Sequence, residues 1–223
     1  LVRKAINYGF DRKKMMKYLR SNIGTPANEG FIPKGLPAYA PEQIDGFSYQ
    51  PDKARELLKE AGYPEGKELP EIKLTTTDDY KDICEFIQHQ LSDIGIDIAI
   101  EVSTGATFRD MVANSKLEFF RASWIADYPD AENYLALFYS KNHSPGGPNY
   151  THYSNQKFDR LYEKALSTTD ELERREIYQT LDQMIINDAP VVLLYYNQVI
   201  RFTHKNIKNL DSKPMNLLTL KYV

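Results

Sequence analysis

The order of elements between residues 71 and 125 constrains this chain's fold more than any other feature. EIKLTTT at 71–77 reads as a strand, 79–94 sets apolar residues at helical spacing, and IDIAIEV at 96–102 alternates with a period of two. Residues 107–114 are helical in pattern again, and LEFFRASWI at 117–125 reads as a third strand. Parallel strands need crossover connections, and such crossovers are right-handed. The succession therefore predicts an α/β fold with a central parallel or mixed sheet flanked by helices. In open sheets of this kind, ligands sit beyond the carboxyl ends of the strands, which directs attention to the residues just after 125.

The flanks are consistent with that layout. Residues 1–20 read as one or two helices, with Asp11 placed to cap the second. Residues 21–50 are punctuated by Gly and Pro and resist regular structure; a loop this long is usually functional or a connector. PDKARELLKEA at 51–61 is a short amphipathic helix, with Pro51 in its first turn and Gly62 and Pro64 at its end. A polar loop at 141–153 precedes helices at 156–167 and 171–187, and VVLLYYNQVIRF at 191–202 reads as a last strand. The chain opens in helical sequence without an initiator Met or a leader, so it is expected to be a piece of a longer protein. The absent leader then says nothing against export.

Charge and composition remove several function classes. A net charge of −3 gives no basic footprint for nucleic acid. No apolar run approaches the roughly 18 residues that cross a bilayer as a helix. The single cysteine, Cys84, allows no intrachain disulfide, and its neighbours Ile83, Ile87, Leu91 and Ile94 mark it as a buried structural thiol. The four histidines, His89, His143, His152 and His204, are scattered without a zinc-ligand spacing, so no metal and no cofactor is expected. Sixteen Tyr and ten Phe fit either an aromatic core or an aromatic-lined cleft.

The segment after residue 125, Ala126-Asp127-Tyr128-Pro129-Asp130-Ala131-Glu132-Asn133, holds three carboxylates and admits three readings. Asp127 or Asp130 could cap the helix suggested by AENYLALFY, with Glu132 favouring its amino-terminal dipole. The acids could form a catalytic or metal site, although the glycine-punctuated alternation of a calcium loop is absent. Or one carboxylate could point into a cleft and pair with a cationic ligand group.

The string Arg121-Ala122-Ser123-Trp124-Ile125-Ala126-Asp127-Tyr128-Pro129-Asp130 resembles the R-x-x-W-x-x-D-Y signature of family-5 extracytoplasmic solute-binding proteins, the oligopeptide- and dipeptide-binding group. Collinear matches run through VRKAINYGFDR at 2–12, GTPANEGFIPKGLP at 24–37, YQPDKARELLKEAGYPEG at 49–66, LSDIGIDIAIE at 91–101, NYTHYSNQKFDRLYEKA at 149–165 and DAPVVLLYY at 188–196. The resemblance implies a type II periplasmic-binding-protein lobe, here the carboxy-terminal one of two that close over a ligand. Residues 1–190 would form that lobe, and 191–223 would return toward the amino-terminal lobe or pack on the same domain in this piece. It implies a monomeric binding component of an ABC importer, working with a membrane permease, without catalytic residues. The implied location is the periplasm or the outer face of the cytoplasmic membrane, with a lipid anchor possible in the full protein. The implied ligand is a short peptide. Asp127 would hold its α-amino group, Arg121 would meet its carboxylate, Trp124 would line a side-chain pocket, and Tyr128 completes the signature. Relatives also carry nickel chelates, haem, opines or oligosaccharides.

Elementary chemistry supports part of this. Peptides of unrelated sequence share only termini and backbone, so a general binder places a carboxylate and a guanidinium for the two ends. On one strand, Arg121 and Asp127 would face the same side about 20 Å apart, with Trp124 on the other face. A salt bridge to Glu118 is the alternative role for Arg121, and core packing the alternative for Trp124. A carboxylate-dependent hydrolase would need two of Asp127, Asp130 and Glu132 to face each other across a gap.

Overall fold

The computed structural model describes residues 1–208 and 210. Its centre is the predicted crossover: β2 (Ile72–Thr76) lies parallel to β3 (Ile98–Val102), from Ile72 opposite Ile98 to Thr76 opposite Val102. Between them runs α4 (Lys81–Ser92), which buries Ile83, Cys84, Ile87 and Leu91, one stripe at helical spacing. Cys84 is a core thiol, and burial pushes its pKa up. Helix α5 (Gly105–Ala113) follows β3.

The third strand is reduced to one bridge. Thr75 alone pairs with Phe120, donating to the Phe119 carbonyl and accepting from the Arg121 amide, both at 3.0 Å. Beyond Arg121 the chain leaves the sheet, and the Asp127 amide is engaged by a side chain from further along rather than by β2. The estimate of strand geometry linking Arg121, Trp124 and Asp127 lapses with it.

The amino-terminal helices, α1 (Val2–Tyr8) and α2 (Arg12–Leu19), meet at the expected cap: Asp11 accepts from the amides of Lys13 and Lys14. Pro51 opens α3 (Pro51–Glu60), which packs on α1, and Gly62 follows at φ +93°, a left-handed conformation that suits glycine. The strand expected at 191–202 is only β4 (Tyr195–Tyr196), paired antiparallel with β1 (Thr25–Pro26). Side chains replace the missing neighbour. Arg3 Nε donates to Ala189 O at 2.7 Å, Asn7 Nδ2 to Val191 O at 3.0 Å, and Arg12 Nε to Leu193 O at 2.7 Å. Asn7 Oδ1 accepts from the Leu193 amide at 3.3 Å. Within the segment expected to return toward another lobe, Leu193 and Tyr196 pack into the first core, while 209 and 211–223 lie outside the described residues.

Arg12 is the centre of this knot. Its other nitrogens donate to the Asn7 carbonyl at 2.8 Å, the Phe47 carbonyl at 3.3 Å and Asn7 Oδ1 at 3.0 Å, and the guanidinium lies 4.3 Å from the Phe10 ring centre. Burial lowers its pKa to about 9, which still leaves it charged at neutral pH.

A second core forms around α6 (Glu132–Leu135), α7 (Gln156–Ser167) and α8 (Glu171–Asp188). Phe158, Tyr162 and Ala165 present one face of α7 to Leu181 and Ile185 of α8 and to Phe138. Each fully buried apolar side chain of this size contributes about 1.5–3 kcal/mol. The long 21–50 segment stitches the cores together, with Ala27, Ile44 and Phe47 in the first and Ile32 and Ala38 in the second. At its middle, Asp182 accepts from the amides of Phe31 (2.7 Å) and Ile32 (3.3 Å). The Tyr196 hydroxyl donates to Gly30 O at 2.6 Å and accepts from the Gly30 amide at 3.1 Å. A Cβ at residue 30 would overlap the Asp182 carboxylate, so any larger residue there would have to displace it from the Phe31 and Ile32 amides. Among the described residues no helix is long and apolar enough to cross a membrane.

Candidate functional site

The segment that leaves β2 at its carboxyl end carries the residues singled out by the sequence. Arg121 is anchored by its amide on Thr75. Its guanidinium carbon lies 3.2 Å from the ring centre of Tyr80, which ends the short 3₁₀ turn Asp78–Tyr80 just after β2. Nη2 reaches the Tyr195 hydroxyl at 3.4 Å and Nη1 the Ser123 hydroxyl at 3.5 Å, both long bonds. Nε is buried without a hydrogen-bond partner. The salt bridge to Glu118 does not form, and among the described residues Arg121 has no carboxylate partner. A stacked cation without a counter-ion has charge to spare for an anionic group.

Trp124 and Asp127 meet at one atom. Trp124 Nε1 donates to Asn133 Oδ1 at 2.8 Å, and the Asp127 amide donates to the same oxygen at 3.2 Å. Asn133 is only 6% exposed, on the first turn of α6. Trp124 is therefore neither plain core nor on the far side of a strand from the others; it is half-buried and tied to the Asp127 turn. Ile125 (79% exposed) and Tyr128 (45%) stand out beside it.

The three carboxylates have different fates. Ala131, not an acid, is the N-cap residue of α6; Asp130, one residue before it, accepts from the Glu132 amide at 2.9 Å and pairs with Arg174 of α8 at 3.4 Å. Glu132 accepts from the hydroxyls of Tyr128 and Tyr162. These bonds raise the phenol pKa values: for Tyr128 the bond to Glu132 is the main cause, for Tyr162 burial comes first. Asp127 is exposed, and its carboxylate has no hydrogen-bond or ionic partner among the described residues. The two engaged acids are held from different helices, Asp130 by Arg174 of α8 and Glu132 by Tyr162 of α7. Among the described residues no group of three or more His, Cys, Asp or Glu is placed to hold a metal.

Three contributors escaped the sequence reading. Tyr80 carried a usable signal, since it follows directly on a strand end. Asn133 and Tyr195 carried none, because their roles depend on how the fold brings together residues 6 and 74 positions apart.

The family model for bacterial extracellular solute-binding proteins, family 5 (middle), matches residues 1–146. The glutathione-binding protein GsiB of Salmonella choleraesuis is 31% identical over 212 residues, covering 92% of this chain and 41% of GsiB. The periplasmic binding protein DppA of Helicobacter pylori, solved with the peptide STSA, superposes with a TM-score of 0.80 at 30% identity over 87% of this chain and 38% of DppA. An oligopeptide-binding protein of Borrelia burgdorferi, OppAIV, gives 0.79 at 28% identity over 88% of this chain and 39% of its own. The chain thus spans about two fifths of the length of these relatives. With the matched model covering well over half of its residues, the chain belongs to the family 5 bacterial extracellular solute-binding proteins.

Proposed function

We propose that this chain is the carboxy-terminal lobe, residues 1–190 with a returning tail, of a monomeric extracytoplasmic protein that captures short peptides for an ABC importer. The observation that carries the reading is the Asp127 carboxylate, left exposed and unpartnered in a turn whose other acids are both engaged. A free α-amino group is its natural complement, and Arg121, stacked but without a counter-ion, suits the peptide carboxylate. Trp124 and Tyr128 supply aromatic surface beside the anchor. The names of GsiB and the peptide bound to DppA support a peptide-class cargo. The role is binding alone. Closure of a second lobe buries the ligand, a membrane permease recognises the closed form, and no bond in the ligand is broken. The protein works in the periplasm or on the outer face of the cytoplasmic membrane, where a lipid anchor would serve the second case.

The test is calorimetric titration of the full-length parent with di- to pentapeptides, beside Asp127→Ala. Micromolar binding that weakens about 30-fold or more in the variant, at an unchanged melting temperature, supports the anchor. A parent that ignores every peptide sinks the reading and sends the search to chelates, haem, opines or oligosaccharides.

A further inference from the structure

Asn133 holds two of the proposed ligand residues with a single oxygen. Its side chain is nearly inaccessible, yet it lies on the turn directly behind Asp127. Oδ1 accepts from the indole of Trp124 and from the amide of Asp127, using both lone pairs of one carbonyl. The bond to the Asp127 amide anchors the peptide plane from which its Cα and side chain set out, and the indole bond restricts the rotation of the Trp124 ring. Neither residue has a strand partner that would do this, because the sheet ends at the Thr75–Phe120 bridge. Of the other ties of the turn, Asp130 acts on Glu132 and Arg174 and Glu132 on two tyrosines, while the Tyr134 hydroxyl is bonded to the backbone of Ala126, one residue before Asp127. We infer that Asn133 is the positioning residue of the binding site, setting the aim of the Asp127 carboxylate and coupling it to the Trp124 pocket, so that preference for a free amino terminus depends on a residue the ligand never touches. This rests on the peptide reading above.

A misaimed carboxylate loses part of its bond to the ammonium group but none of its contacts with the rest of the ligand. The discriminating readout is therefore the ratio of affinities for a peptide with a free amino terminus and its N-acetylated form, measured on the full-length protein. Wild type should prefer the free amine on the order of 100-fold. Asn133→Ala should cut that ratio about tenfold, and Asn133→Asp, which keeps an acceptor oxygen in place, should restore it. If Asn133→Ala weakens both peptides equally, or leaves the ratio intact, Asn133 is merely structural and the inference fails. If Asp127→Ala keeps the wild-type ratio, the failure lies instead in the reading beneath, and the inference falls with it. Should Asn133→Ala not fold, Trp124→Phe carries the test: loss of the indole donor should lower the ratio about threefold, and an unchanged ratio overturns the coupling.

Discussion

Two buried asparagines organise two regions of this chain, and they leave their charged neighbours in opposite states. Asn7 sits in the first core with Arg12, and together they satisfy the carbonyls of Val191, Leu193 and Phe47. Every bond there closes within the protein, and each of the three guanidinium nitrogens has a partner in the fold. Asn133 also bonds backbone and side chain, but the groups it holds, Asp127 and Trp124, end in a carboxylate without a partner and a half-exposed ring. A polar knot built for stability leaves nothing over. On the proposed reading the second receives a ligand: it fixes direction and keeps a charge free, which costs little stability because the charge stays in water.

The contrast breaks most visibly at Arg12. Arg12→Ala strands several buried acceptors at once and should cost about 3–5 kcal/mol, read by urea or thermal denaturation. If the loss is under about 1 kcal/mol, the knot is not a stability element and the comparison collapses.

Asp182 gives the next largest effect, with a pH signature. Burial raises its carboxyl from the ordinary 3.8 to about 6, against the two amides that pull it down. The folded state then binds more protons than the unfolded one between about pH 4 and 6. Its contribution is full below the lower value and is lost as pH rises through the upper, by about 2–3 kcal/mol in all. A stability-versus-pH curve should show this fall in wild type, and Asp182→Asn should remove it.

The smallest effects belong to the open region. Arg121→Ala loses a stacking contact on Tyr80 and should cost about 0.5–1 kcal/mol. A melting curve showing a loss comparable to that of Arg12→Ala would mean Arg121 is bound up in the fold, and so no anion anchor.

The sequence conveyed those parts of the fold that depend on neighbours a few residues apart. The cap at Asp11, Pro51 at the head of α3 and the apolar stripe of α4 are local patterns with local causes. The strands expected at 117–125 and 191–202 are both shorter in the structure, for one reason. Alternating apolar residues signal willingness to pair, but the actual partners are side chains: Asn133 in the first case, Asn7 and Arg12 in the second. Likewise, the motif placed Arg121, Trp124, Asp127 and Tyr128 together. Which acid engages the start of the helix is visible only in the geometry, where Asp130 bonds the Glu132 amide from just before the N-cap, Ala131.

Gly30 has a wider consequence. It is gripped by Tyr196 from the first core, while its neighbours Phe31 and Ile32 hang from Asp182 in the second. Neither half can open without letting go of this shared point, so the two cores should melt in one cooperative transition and share one exchange-protection plateau.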